Sequence, residues 1–240
     1  DESDQIFSCE GWYRGLKEIE FFNRISMSFD SSDYNKLIFI AFLRSPVSWI
    51  NSAWWQWGAW ESYNKNSFDG WLQRVIKNVK WYEHFKNFDS LKKNHQLILK
   101  PIREDILKDF TSLLKFKGKL NYPGRLNRGL PPEILKLYLD YPRARFIMKK
   151  IFKKKKLTSN KTPWILNKSN IRLILKNTYG SNIKLLEILN KEDKEYLEND
   201  PSWWDENFYK DIKSYNPFLK DFNLDKNKIR FTLMNIFSGK

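Results

Sequence analysis

Apolar positions fall into two patterns along this chain. From Lys36 to Leu43 the residues "KLIFIAFL" form a nearly unbroken apolar run, rich in branched and aromatic side chains and bounded by polar sequence. A short continuous run of this kind predicts a strand covered on both faces, as in a parallel sheet. "HQLILKP" (His95 to Pro101) predicts a second buried strand closed by proline, and "QIFSCE" (Gln5 to Glu10) a shorter one that ends in polar groups. Elsewhere the apolar positions recur with helical period. "EGWYRGLKEIEFFNRIS" sets Leu16, Ile19, Phe22 and Ile25 on one side, and "SFDGWLQRVIKNVKWYEHFKNFDSLKK" reads as one or two helices. "REDILKDFTSLLKFKG" predicts an amphipathic helix with acidic residues at its start and Gly118 past its end. Pro46 stands where a helix begins, because the first turn has no use for the missing N–H.

Strands alternating with helices require crossover connections, and so an α/β fold with a parallel sheet flanked by helices. That pattern holds to about residue 120. Beyond it the chain reads as helical with Pro and Gly punctuation: near Pro132 to Leu139, Arg143 to Phe152, Ser169 to Thr178, Asn182 to Leu189 and Lys191 to Glu198. A last pair is predicted near Pro201 to Ile212 and Lys226 to Ile236. A chain of 240 residues supports one core. The expectation is a single domain over 1–240, with an α/β core in 1–120 and a mainly helical extension in 121–240.

Composition narrows the classes. Apolar residues make up 41% and aromatics 17%, too much apolar material for a disordered chain. The longest apolar runs fall far short of the ~20 residues that a membrane-spanning helix needs. Cys9 is the lone cysteine, which excludes an internal disulfide or a cysteine-built zinc site. His84 and His95 lack the paired spacing of metal ligands, so no metal is expected. A reducing, cytoplasmic setting fits this cysteine usage. The chain opens on Asp1 rather than Met, which leads us to expect further sequence upstream. The net charge is +15, but Lys outnumbers Arg 32 to 11. Arg supplies the planar fork for specific phosphate or base contacts, so an excess carried by Lys points to an anion-friendly surface rather than a sequence reader.

In open parallel sheets ligands bind beyond the carboxyl ends of the strands. The residues in that position are Ser8, Cys9 and Glu10 after the first run, and Arg44, Ser45 and Ser48 after the second. Arg44 precedes a helix start, whose unpaired N–H groups and partial positive charge suit a phosphate. Ser52 follows eight residues later, roughly two turns into that helix. The same residues also allow a plainer reading, in which Arg44 caps or pairs with a carboxylate and Ser52 permits close helix packing.

The segment "KLIFIAFLRSPVSWINSAWW" resembles the 3′-phosphate-binding segment of sulfotransferases that use 3′-phosphoadenosine 5′-phosphosulfate. In that family a buried strand ends in Arg, and a Ser lies eight positions later on the following helix. The resemblance implies that Arg44 and Ser52 hold the nucleotide's 3′-phosphate. "IFSCEGW" is similar to the preceding family strand, whose end carries the catalytic base, and Glu10 occupies that place. The similarity covers about residues 5 to 140. It implies sulfuryl transfer to a hydroxyl or amine acceptor, with a carbohydrate favoured. One element departs from the family pattern. The "PKSGTT"-like 5′-phosphosulfate loop has no equivalent here, since "KLTSNKTPW" (Lys156 to Trp164) follows the wrong elements. Either that loop lies upstream of Asp1 or the chain has lost it. Without it, poor catalysis is expected, because charge building on the leaving phosphate lacks its donors.

Two further features bear on partners. Trp49, Trp54, Trp55, Trp57 and Trp60 cannot share one helix face; most are expected in the core, with Trp54 or Trp55 as candidate walls of a cleft. "YPRARFIMKKIFKKKKL" is basic and amphipathic, and its Lys153 to Lys156 run suits an acidic polymer or an anionic membrane surface as well as a plain solvated loop. The rival to the enzyme is therefore a non-catalytic protein of the same fold that binds nucleic acid or acidic glycan. A small-molecule kinase is a more distant rival and needs a Walker-type loop, equally absent.

Overall fold

The computed structural model describes residues 24, 38–59, 68–88, 96–116, 118 and 163–214. Within them the architecture is mixed α/β, with a small parallel sheet and a majority of helix. β1 (Ile38–Leu43) and β2 (Gln96–Pro101) pair in parallel, Ile38 opposite Gln96 through Leu43 opposite Pro101. Both strands coincide with the apolar runs that predict them. The strand predicted at Gln5 to Glu10 and the helices near Pro132 to Leu139, Arg143 to Phe152 and Lys226 to Ile236 lie outside the described residues.

β1 leads directly into α1 (Pro46–Ala53), with Pro46 in the first turn as anticipated. The helix continues as a π turn over Trp54–Gly58. Such a turn inserts a residue and re-phases the helix face, so two consecutive tryptophans go inward. Trp54 and Trp55 are both buried, which corrects their assignment as cleft walls. Trp54 meets Phe68 edge-to-face at 5.0 Å and Trp71 at 5.2 Å. Gly58 makes this packing feasible: a Cβ there would lie 2.5 Å from both the Trp54 and Trp71 rings.

The segment read as one or two helices breaks into α2 (Phe68–Val75), a 3₁₀ turn (Ile76–Val79) and α3 (Trp81–Phe85). After β2 comes α4 (Ile106–Leu113), started by Asp105, whose carboxylate accepts from Lys108 N–H at 2.9 Å. The chain leaves α4 through Lys115 at φ 50°, and Phe116 N–H returns to Thr111 C=O at 2.9 Å.

One helix replaces two of those predicted in the second half. α5 (Lys168–Ile188) runs 21 residues straight through Gly180. Glycine weakens a helix, but here the neighbouring polar groups are held. Thr178 Oγ1 donates to Ile174 C=O at 3.0 Å, Ser181 Oγ accepts from Tyr82 N–H at 3.3 Å, and both residues are buried. An Asn167–Asn170 capping box fixes its start. α6 (Lys191–Asn199) follows, and then two 3₁₀ turns, Pro201–Trp203 and Glu206–Tyr209, stand where a last helix was expected. α5 packs on α1 and α3, and α6 packs on β2. The helical half therefore covers the α/β part.

An extended stretch, 163–167, is clamped to α1 by one buried amide. Asn51 Nδ2 donates to Pro163 C=O at 3.0 Å and Asn51 Oδ1 accepts from Ile165 N–H at 2.8 Å. Trp55 Nε1 donates to the same Pro163 carbonyl at 2.6 Å. No helix of the described residues is long and apolar enough to cross a membrane.

Candidate functional site

The two strands end together. Ile102 N–H donates to Leu43 C=O at 2.7 Å, one step past the last paired residues, so the chain leaves β1 at Arg44 and β2 at Arg103 on one rim. Arg44 is half-buried, and its carbonyl accepts the Trp81 indole N–H at 2.9 Å. Ser45 is buried at the N-cap of α1, yet its hydroxyl does not cap a backbone N–H. Ser45, Ser48 and Ser52 are spaced by three and four residues and so form one stripe along the helix. Ser48 and Ser52 are half-buried.

A residue from far along the chain comes near the head of this stripe. Tyr209, only 3% exposed, donates to Ser202 C=O at 2.5 Å. Burial pushes its phenol up to about 12, against the pull of the nearby Ser45 and Ser48 hydroxyls. Its ring stacks on Trp164 at 5.5 Å. Ser45 and Ser48 both stand near the Tyr209 phenol. Arg44 stands just before that point and Ser52 about 10 Å further along the axis from Ser45, at 1.5 Å per residue. Glu10, Cys9 and the Lys153 to Lys156 run lie outside the described residues.

On the β2 side the charges are paired. Asp193 is fully buried and accepts from Lys100 Nζ at 3.0 Å and Arg103 Nη2 at 2.9 Å. Arg103 Nη1 reaches Glu192 at 2.6 Å, and the guanidinium lies 4.8 Å over the Tyr196 ring. The bond to Glu192 holds Arg103 above its ordinary range and Glu192 below the usual carboxylate range. A shallow cleft of about 480 Å³ opens here, lined by Arg103, Glu192, Glu195, Tyr196, Asn199, Asp200 and Pro201. With Arg103 committed to two carboxylates, this cleft is a poor anion site. Among the described residues no group of three His, Cys, Asp or Glu converges to hold a metal.

No family model, curated protein or solved structure matches the chain. The rim must therefore be interpreted from its own chemistry. It combines an arginine at the strand exit, the positive end of an eight-residue helix and serines along one stripe. Tyr209 and Arg103 are missing from the sequence-derived list. Arg103 was within reach of the same rule that singled out Arg44, since it stands two residues past β2. Nothing in "ENFYKDI" signals that Tyr209 is buried with its ring stacked on Trp164.

Proposed function

We propose that this chain is a sulfotransferase-like protein whose nucleotide-binding rim is the exit of β1. In this reading Arg44 and Ser52 hold the 3′-phosphate of 3′-phosphoadenosine 5′-phosphosulfate. The observation that supports it is the direct passage from β1 through Arg44 into a proline-initiated helix carrying the serine stripe. A guanidinium beside a helix N-terminus fits a phosphate by charge and by hydrogen-bond donors. The nucleotide, when bound, supplies a sulfuryl group that passes to an acceptor oxygen or nitrogen as the phosphosulfate bond breaks. Glu10 takes the acceptor's proton as general base. The acceptor class we favour is a carbohydrate hydroxyl or amine. No counterpart of the phosphosulfate loop occurs among the described residues, so the reading concerns the 3′-phosphate end of the nucleotide.

The test is protection against thermal unfolding by 3′-phosphoadenosine 5′-phosphate. A ligand at 100 times its Kd adds about 2.7 kcal/mol by mass action, enough to raise the midpoint by several degrees. That rise is expected in the wild type and absent in Arg44→Ala. Equal protection by an oligonucleotide, abolished when Lys153 to Lys156 are replaced, supports the anion-binding rival instead.

A further inference from the structure

α5 buries one side and leaves the other bare. Ile174 and Leu185 are fully buried, whereas Leu173, Lys176, Gly180, Ile183 and Glu187 are all exposed. Those five recur at steps of three, four, three and four, the spacing of a heptad seam rather than of scattered surface positions. Leu173 and Ile183 each keep 40% of their surface in water. Gly180 stands in the middle of the seam, where glycine weakens the helix, and nothing among the described residues lies within 4 Å of the place of its Cβ. Packing among the described residues therefore gives this glycine no use. Lys176 and Glu187 form no ion pair with a described residue.

We propose that this seam binds a second copy of the same chain, α5 against α5 in antiparallel, about a two-fold axis level with the Ser181–Asn182 bond. In that register Ile183 of each copy enters the gap at the partner's Gly180, and the glycine lets the two helix axes approach closely. Charge selects the arrangement. A parallel pair sets Lys176 on Lys176 and Glu187 on Glu187, whereas the antiparallel pair sets each Lys176 against the partner's Glu187 and also opposes the helix dipoles. Sliding one helix by seven residues pairs Leu173 with the partner's Ile183 but leaves both charges unmatched. The seam from Leu173 to Glu187 is about 21 Å long at 1.5 Å per residue, so the interface falls in the small, weak class. It lies on the side of α5 away from the core and does not depend on what binds at the β1 exit.

The experiment is sedimentation equilibrium of the full chain in about 0.15 M salt, where screening over about 8 Å mutes the repulsion between two molecules of charge +15. A monomer–dimer equilibrium with a dissociation constant on the order of 10–100 μM is expected. Lys176→Glu turns two attractive contacts repulsive and is expected to weaken association about tenfold. Adding Glu187→Lys is expected to restore it, because the exchanged pair attracts again. Gly180→Gln is expected to weaken association by about tenfold or more while raising the thermal midpoint of the dilute chain, since glutamine favours helix and meets nothing in the monomer. That rise separates a lost interface from a lost fold. A wild type that stays monomeric to about 300 μM, whether its seam remains bare or takes another partner, overturns the proposal. So does a dimer that Gly180→Gln or Lys176→Glu leaves intact, or one that the double variant fails to restore.

Discussion

Replacing Asp193 with Asn is the severest single-atom test of how the helical half is held to the sheet. The carboxylate is fully buried and meets three donors: Lys100 Nζ at 3.0 Å, Arg103 Nη2 at 2.9 Å and Asn190 Nδ2 at 2.5 Å. Lys100 is on β2 and Arg103 just past it, so the interaction joins α6 to the sheet. Asparagine keeps the shape but supplies an N–H₂ where these donors need an acceptor, and leaves a Lys side chain only 13% exposed without its counter-charge. Breaking one partner of a buried ion pair costs about 3–5 kcal/mol, a large share of the ~5–15 kcal/mol that stabilises a domain. For a chain of this size that lowers the thermal midpoint by roughly 10 °C. Urea unfolding followed by tryptophan fluorescence reads the change directly. Glu206→Gln is the control: its partner Arg172 is 64% exposed, and such surface pairs contribute about 0–1 kcal/mol. A loss below about 1 kcal/mol for Asp193→Asn, or one no larger than the control's, refutes the clamp.

Three more outcomes follow from the same structure. Asn51→Leu strips the buried Ile165 N–H of its acceptor while Trp55 still satisfies Pro163 C=O, so a loss of about 2 kcal/mol is expected; an unchanged urea midpoint contradicts it. Tyr209 has its phenol raised to about 12 in the fold, above the ~10 of an unfolded chain. The unfolded state therefore loses its proton first, and stability should fall from pH 10 to 12 by up to about 1.4 kcal/mol per pH unit more than in Tyr209→Phe, whereas identical alkaline profiles rule this out. Lys115 adopts a left-handed conformation that costs a residue with a Cβ about 1 kcal/mol, so Lys115→Gly should stabilise by up to that amount. A destabilised variant contradicts that expectation.

Features set by local pattern were legible in the sequence, and those set by distant contacts were not. "LIFIAFL" and "QLILK" announce strands because a short apolar run bounded by polar groups has few other uses, and Pro46 marks a helix start through its own chemistry. The continuity of α5 through Gly180 depends on side chains such as Ser181 finding partners on α3, which periodicity cannot report. Trp54 and Trp55 are both buried because the helix widens into a π turn beside Gly58, a change of phase that the 3.6-residue pattern does not contain. At the site, Arg44 and the serine stripe could be read from spacing. The return of the Pro201–Trp203 turn to α1 spans about 150 residues of sequence and leaves no local trace.

The most direct test of the nucleotide reading is a calorimetric titration of the full chain with 3′-phosphoadenosine 5′-phosphate and, side by side, with adenosine 5′-phosphate. The two ligands differ only at the group assigned to Arg44 and Ser52. The expected result is binding that requires the 3′-phosphate and weakens roughly ten- to a hundredfold in Arg44→Ala, the span of a charge-assisted contact. Equal affinity for the two nucleotides, or an Arg44→Ala variant that binds as tightly as the wild type, contradicts it.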